Sequence, residues 1–240
     1  MSSPRMAKSA PEKSAPEKKA HAPTRARSGR ALLAALMRDA GEGEPGSGEK
    51  ILRAATREAE TFGLRRFTVD DVARRLGISR VTIYRYFPKK EQLVEAVLMR
   101  ELRSFLGAVE AHIEGFDSLE ERLVEGVVFA LSTLRRHTLL NRLLRTEPET
   151  IVPHLTLDAG PVLAAAREFI ARYPRAEVAA GRLKITEQQI GVLSEMLARV
   201  VLSFVLTPDS AVKLDSPAEI QAFAREYLAP VVRALSRRAR

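Results

Sequence analysis

The chain has 240 residues, of which 45% are hydrophobic and 29% charged, and it contains neither cysteine nor tryptophan. This length allows one or two domains with a sizeable core, and the absence of cysteine excludes disulfides, thiolate metal sites, iron–sulfur clusters and a cysteine nucleophile. No charge-free apolar run reaches the length of a membrane span, and the charged N-terminus lacks the apolar region of a secretory signal. We therefore expect a soluble protein of the cytoplasm.

The net charge of +9 is concentrated in the first hundred residues. Residues 1–48 hold 9 Lys and Arg against 5 Asp and Glu, residues 49–100 hold 12 against 7, and residues 101–240 hold 18 against 18. A basic N-terminal part joined to a neutral C-terminal part predicts that only the basic part meets a polyanion, either nucleic acid or an anionic membrane surface. A basic surface that is merely solvated is the alternative.

The first 46 residues are predicted to be a basic, mostly disordered extension, because they cannot bury enough apolar surface to offset the entropy of ordering. A helical stretch over residues 31–40 is the exception. From residue 49 onward, apolar residues recur at intervals of three and four, which predicts an all-α fold. Capping signals and apolar stripes divide this part into helices over residues 51–62, 69–75, 79–87, 88–113, 119–134, 138–146, 159–172, 187–206 and 217–237.

Two of the predicted helices are short and are joined by a turn at Gly77, which is the pattern of a helix-turn-helix. Thr68 stands just before the first of them and Asp71 follows three positions later, the spacing of a capping box. In such a motif the second helix lies in the major groove of DNA and offers its N-terminal side chains to the base edges. The region of highest positive charge is therefore also the region with a DNA-binding pattern.

The exposed face of the second helix is predicted to contact DNA through side chains that can bond base edges or phosphates, namely Ser79, Arg80, Thr82, Tyr84, Arg85, Tyr86 and Lys90. Arg80 can bond a guanine edge through two hydrogen bonds, and Lys90 suits phosphate oxygens. Val81, Ile83 and Phe87 are expected to face inward. Tyr84 and Tyr86 have an alternative role as core aromatics with wet hydroxyls, and both interpretations can hold if one tyrosine takes each role.

A longer pattern runs through the same region: Phe67-Thr68-Val69-x-Asp71-Val72-Ala73-x-x-Leu76-Gly77-Ile78-Ser79-x-x-Thr82-Ile83-Tyr84-x-Tyr86-Phe87-Pro88-x-Lys90-x-x-Leu93. With this pattern, residues 49–100 resemble the DNA-binding domain of the TetR family of transcriptional regulators. The spacing is far more specific than a lone short motif, although it covers only about fifty residues well.

The resemblance implies a homodimer of about nine helices that binds an inverted-repeat operator and leaves it when a small molecule binds. It implies a helix-turn-helix DNA-binding domain over residues 47–92, joined by a long helix to an effector-binding and dimerisation domain over residues 93–240. It also implies DNA contacts at Arg80, Thr82, Tyr84, Tyr86 and Lys90, with Thr68 near a phosphate. The extension over residues 1–46 departs from the family, whose typical members begin close to the first helix.

The predicted helix over residues 187–206 is apolar nearly all round. A helix of this kind needs neighbours on every side, and a partner subunit is the economical way to supply them. With the last helix it is predicted to form a four-helix dimer interface, through Ile190, Leu193, Leu197, Val201, Phe204, Ile220, Phe223 and Tyr227. A central helix within a monomer is the alternative.

A ligand cavity in the neutral C-terminal part is predicted from aromatic, His and Met residues on helices that could surround it, namely Phe105, His112, Phe116, Phe129, His154, Phe169 and Met196. Residues 147–153 are expected to form a gate with two prolines. Each of these side chains is individually more often plain core or surface. The spacing of His112, His137 and His154 fits no metal motif, and the sequence carries no catalytic signature, so no cofactor, metal or enzyme activity is expected.

Two classes of function remain open at this stage. The first is a ligand-responsive repressor that binds a double-stranded DNA operator. The second is a lipid- or membrane-associated helical binding protein, whose basic tail and apolar stretch over residues 31–37 touch anionic bilayers. Specific retardation of a palindromic duplex favours the first, whereas flotation with liposomes without DNA binding favours the second.

Overall fold

The structure is a computed structural model that describes residues 46–237, and within that range it contains helices but no strand. The all-α prediction is confirmed. The predicted extension over residues 1–46, with its helical stretch at 31–40, lies outside the described residues except for Gly46. The helices are α1 Ser47–Phe62, α2 Val69–Leu76, α3 Arg80–Tyr86, α4 Lys90–Ile113, α5 Leu119–Arg136, α6 Thr138–Thr146, α7 Pro148–Leu155, α8 Gly160–Ala179, α9 Glu187–Leu206, α10 Pro217–Phe223 and α11 Ala229–Arg237.

Three of these helices differ from the prediction. The segment over residues 147–153, which was not assigned to a helix, is mostly the helix α7, since Pro148 takes the first helical position, where proline is tolerated; its role as a gate stays a prediction. Helix α8 continues past residue 172 to Ala179 and carries Pro174 in its interior. The last predicted helix is divided by a π-helical turn over Ala224–Leu228, which joins α10 to α11.

Helices α1 to α3 pack around a buried apolar core at the N-terminal end of the described chain. Its largest fully buried side chains include Ile51, Phe67, Ile83 and Leu93. Phe87 is also buried, whereas Val81 is 76% exposed and does not face inward as predicted. Residues two positions apart on a helix differ by about 200° in direction, so Val81 and Ile83 cannot both point at the same core.

The same core also contains residues from the C-terminal part of the chain. Leu139 and Leu143 of α6 and Ile151 of α7 are each at most 2% exposed and belong to this cluster. The DNA-binding domain predicted for residues 47–92 is therefore completed, in packing terms, by two helices that lie about fifty residues further along the chain. Contact between the two parts of the molecule is direct rather than through the long helix α4 alone.

The C-terminal part is organised around α5, which packs against α4, α9 and α10, while α8 packs along α9. Of the helices that the structure describes, α9 is the one that meets the length and composition of a membrane span, a test that core helices also pass. It has a buried side that carries Ile190, Ser194 and Ala198. Its opposite side exposes Val192 and Met196, by 51% and 57% respectively.

The predicted dimer residues divide between the inside and the outside of the protomer. Ile190 and Ile220 are each 2% exposed, so the structure assigns them to the protomer's own core and leaves them little surface for a partner. Five others are partly buried, namely Leu193, Leu197, Val201, Phe204 and Phe223, and Tyr227 is 60% exposed. We name the exposed set Val192, Met196, Tyr227 and Val231 the outer apolar face.

Candidate nucleic-acid interface and ligand cavity

Hydroxyl groups cap both helices of the helix-turn-helix. Thr68 Oγ1 accepts a hydrogen bond from the Asp71 amide at 3.2 Å, and an Asp71 carboxylate oxygen accepts one from the Thr68 amide at 3.0 Å. Thr68 Oγ1 also donates to the same carboxylate oxygen at 2.6 Å, and this bond, together with the one from the Thr68 amide, lowers the pKa of Asp71. Ser79 Oγ accepts from the Thr82 amide at 3.1 Å and lies 3.0 Å from Thr82 Oγ1. Three residues that are predicted to contact DNA thus also take part in capping the two helices, namely Thr68, Ser79 and Thr82.

The capping role of Ser79 predicts how two substitutions will differ. Ser79→Ala should lower the free energy of unfolding by about 1 kcal/mol, because the α3 N-terminus loses its acceptor. Ser79→Asp should retain stability, since Asp is an equally good cap, and should weaken DNA binding by placing a carboxylate near the phosphates. Urea unfolding and a DNA-binding titration of both variants measure the difference. Equal stability of the two variants would contradict the capping role.

The exposed face of α3 carries Arg80, Val81, Tyr84 and Arg85. Arg80 lies at the first helical position, and its Nε is 3.1 Å from a carboxylate oxygen of Asp70 on α2. Tyr84 is 45% exposed. This face presents two cations, a branched apolar side chain and a phenol together, which are groups that can read base edges and bond phosphates.

The two tyrosines of α3 lie in different environments. Tyr84 is exposed, whereas Tyr86 is partly buried, packs against the N-terminal core and lies beside Gly48 of α1. The guanidinium of Arg85 stands 5.9 Å from the centre of the Tyr86 ring. The interpretation as a core aromatic therefore applies to Tyr86, whereas Tyr84 is exposed and its contact with DNA stays a prediction.

Lys90 is less free than the sequence suggests. Its Nζ donates to the Arg65 carbonyl at 2.9 Å and stands 5.0 Å from the centre of the Phe67 ring. Lys89 and Arg66, which lie outside the helix-turn-helix pattern in the sequence, are exposed on the neighbouring segments. The only sequence signal for them was the excess of positive charge over residues 49–100. Whether Lys90 also reaches a phosphate stays a prediction.

A cavity of about 390 Å³ lies in the C-terminal part, with apolar side chains from α4 to α9 and α11 over nearly all of its wall. Of the predicted ligand residues, Phe105, His154, Phe169 and Met196 line it, whereas His112, Phe116 and Phe129 do not. His112 is exposed and stacks on Phe129 with ring centres 4.6 Å apart. An aromatic residue at helical spacing signals burial but does not say on which side of the helix a cavity lies.

Polar groups are few on the cavity wall. Arg122 donates from Nε to the Phe116 carbonyl at 2.6 Å, and its guanidinium carbon lies 5.8 Å from the centre of the Tyr173 ring. Burial raises the pKa of the Tyr173 phenol, whose oxygen has no hydrogen-bond partner among the described residues. Within residues 46–237 no group of three or more His, Asp and Glu side chains is placed to hold a metal ion. The cavity therefore suits an apolar or amphipathic organic molecule.

Comparison with known families matches both parts of the chain. A family model described as "Bacterial regulatory proteins, tetR family" matches residues 51–97, which span α1 to the first half of α4. A second model, described as "Bacterial Tetracyclin repressor, C-terminal domain", matches residues 119–225, from α5 to the π-helical turn. The helix-turn-helix and the cavity-bearing helices thus each correspond to a domain of the same kind of protein.

Individual relatives agree with these models. An uncharacterized HTH-type transcriptional regulator of Mycobacterium bovis is 32% identical over 101 residues, which are 42% of this chain and 51% of that protein. EthR, an HTH-type transcriptional regulator of Mycolicibacterium smegmatis, is 42% identical over 65 residues, 25% of this chain and 30% of EthR. The chain thus spans about half or less of the length of these curated relatives. The crystal structure of AlkX, a repressor from Dietzia implicated in biodegradation of n-alkanes, has the same fold, with a TM-score of 0.59 over 78% of this chain and 97% of AlkX at 23% identity.

Proposed function

Because the chain belongs to the TetR family of bacterial regulatory proteins, we propose that it represses transcription from an inverted-repeat operator and leaves that operator when a small apolar or amphipathic molecule binds. The observation that carries the proposal is the exposed face of α3, which a buried core holds in place behind it. The protein acts in the cytoplasm, where the chromosome of a bacterium lies. The homodimer places two copies of α3 in successive major grooves, roughly 34 Å apart.

In this proposal the exposed side chains of α3 and Lys90 at the start of α4 divide base reading and phosphate binding between them. Arg80 bonds the O6 and N7 atoms of a guanine, which requires that its guanidinium leave Asp70 or bridge between the two. Val81 packs on the methyl group of a thymine. Tyr84, Arg85 and Lys90 bond phosphates, which fixes the register of the helix in the groove.

The operator is best found without assuming a sequence. Duplexes are selected by the full-length protein from a random pool, and the enriched sequences are matched to sites footprinted in the genome of the source organism. An enriched inverted repeat with half-sites about one helical turn apart supports the proposal. Enrichment of no sequence above background, at salt that suppresses non-specific binding, contradicts it.

We expect Arg80→Ala to weaken binding to the selected operator by about 1 to 3 kcal/mol and to relax the preference at the guanine that it reads. Lys89→Ala removes one positive charge from an exposed side chain nearby and is expected to weaken all duplexes alike. Titrations of each variant against the operator, a point-substituted operator and random DNA separate these effects. Equal losses on specific and random DNA for Arg80→Ala would remove Arg80 from base recognition.

The alternative of a lipid-associated protein is favoured by one observation, the length and apolar composition of α9. A partner subunit over the outer apolar face accounts for the same observation. Flotation with anionic liposomes, in the presence and absence of the selected duplex, distinguishes the two. Co-flotation that the duplex does not reduce would favour the lipid-associated function.

A further inference from the structure

A buried carboxylate joins the cavity-bearing helices to the DNA-binding domain. Glu147, at the corner between α6 and α7, is 5% exposed, and its Oε2 accepts a hydrogen bond from the Arg65 amide at 2.8 Å. Arg65 lies in the turn between α1 and α2, 82 residues earlier in the chain. In the part of the chain that the structure describes, no cation pairs with this carboxylate. Burial of a carboxylate that is bonded to an amide and unpaired with a cation costs free energy, so packing alone does not explain this residue.

The turn between α1 and α2 is shaped around the carboxylate. Gly63 adopts φ +87°, and a Cβ atom there would stand 1.9 Å from Glu147 Oε1, so the carboxylate occupies the space that any other residue at 63 would need. On its other side, the turn is held by Lys90 of α4, which donates to the Arg65 carbonyl. We name residues 63–66 the α1–α2 turn. It leads directly into the Thr68 cap of α2 and hence into the helix-turn-helix.

The two helices on either side of Glu147, α6 and α7, also form a wall of the cavity. Leu139, Leu143 and Ile151 each line the cavity and belong to the core shared with the DNA-binding domain. Glu147 stands between Leu143 and Ile151 in the chain, at the corner where α6 ends and α7 begins. A molecule that enlarges the cavity therefore pushes on the two helices whose corner holds the α1–α2 turn.

We propose that Glu147 is a positioning residue that couples the cavity to DNA binding: filling the cavity moves the α6–α7 corner, withdraws the carboxylate from the Arg65 amide and releases the α1–α2 turn. This inference rests on the proposed function, because it assigns the residue through which release from DNA occurs. By linkage, DNA bound to the helix-turn-helix stabilises the same contact and lowers the affinity of the cavity for its ligand.

The first test measures coupling with N-phenyl-1-naphthylamine, an apolar fluorescent probe. The dissociation constant for the selected duplex is measured with and without saturating probe in the wild-type protein, Glu147→Ala and Glu147→Gln. Glu149→Ala is the matched control, since it removes an exposed carboxylate two residues away that pairs with the Arg65 side chain at 3.1 Å. We expect the probe to weaken DNA binding of the wild type and of the control by about 5- to 150-fold, a typical range for coupled sites.

The coupling ratio is the dissociation constant for the duplex with saturating probe divided by the one without probe. In Glu147→Ala this ratio should fall to within about twofold of one, while the affinity for the probe is retained. Glu147→Gln keeps the shape and an oxygen acceptor, so it should fold even where Glu147→Ala does not, and its ratio should be intermediate. A wild-type ratio in both variants overturns the role of Glu147 and leaves ligand release standing. A ratio of one in the wild-type protein contradicts ligand release itself and the coupling with it.

A second measurement needs neither ligand nor DNA. Leu102→Trp places a larger side chain on the α4 wall of the cavity. Because the wild-type protein has no tryptophan, the indole fluorescence of this variant reports whether the new side chain is buried. Hydrogen exchange at the Arg65 amide should become about tenfold faster in Leu102→Trp, because a hydrogen bond of about 1.4 kcal/mol is released. In Glu147→Ala, exchange at the Arg65 amide should be fast with or without the Leu102→Trp substitution. Unchanged exchange at Arg65 in a folded Leu102→Trp protein overturns the proposal.

Discussion

We expect Val192→Glu and Tyr227→Glu, made separately, to convert the proposed homodimer to folded monomers and to abolish tight operator binding. Both side chains belong to the outer apolar face, are at least half exposed in the protomer and do not line the cavity. A carboxylate at either position would have to lose its water if a partner subunit covered it, at a cost of several kcal/mol. Because each monomer then binds one half-site on its own, the affinity for the operator should fall by about 10²- to 10⁴-fold.

Sedimentation velocity gives the oligomeric state, and circular dichroism shows whether the helices persist. Gln188→Glu is the matched control, since it adds the same charge at an exposed polar position near the N-terminus of α9. Val201→Glu should behave differently from either variant. Val201 packs against two clusters of the protomer's own core, so its replacement should unfold the domain rather than separate subunits. Dimers of wild-type affinity in both Val192→Glu and Tyr227→Glu would place the interface elsewhere.

The second large effect is expected for Arg75→Ala, within the DNA-binding domain. Arg75 of α2 pairs with Glu58 of α1, whose side chain is only 5% exposed. Removing the cation leaves a buried carboxylate without its partner, which typically costs about 3 to 5 kcal/mol in a fully buried pair. Since the Arg75 side chain is 39% exposed and water can replace part of it, we expect about 2 to 3 kcal/mol of lost stability.

Urea unfolding at a fixed protein concentration measures this loss, because the stability of a dimer depends on concentration. The adjacent Arg74→Ala is the control, as its side chain is 78% exposed and pairs with Asp71 on the surface. That variant should change stability by less than about 1 kcal/mol. In a Glu58→Gln background, Arg75→Ala should cost much less than in the wild type. Equal costs in the two backgrounds would show that Arg75 acts through packing rather than through the buried charge.

Helix starts were predictable because their signals are local. Thr68 with Asp71, Thr186 with Gln189, and Ser216 with Glu219 each form the reciprocal capping bonds that their spacing predicts. The exposed and buried faces of α3 could be assigned from its apolar spacing, apart from Val81, which is exposed, and Tyr86, which is partly buried.

The orientation of α9 was not predicted from its sequence, because apolar residues occupy most of its circumference. Its one polar stripe is narrow and carries Gln188, Glu195 and Arg199. Val192 lies beside this stripe and is exposed, whereas Ile190 lies on the opposite side and is buried by the packing of α8 and α5. Glu147 was missed for a related reason, because its hydrogen-bond partner lies 82 residues away and leaves no trace in local spacing.

The wall shared between the cavity and the DNA-binding core constrains how such a regulator can acquire a new inducer. A substitution at Leu143 or Ile151 that reshapes the cavity also removes or adds volume in a core that holds α1 to α3 together. Val162 and Ala166 on α8 line the cavity without belonging to that core. Laboratory evolution toward a different inducer should therefore accumulate its changes on α8 and leave α6 and α7 nearly untouched.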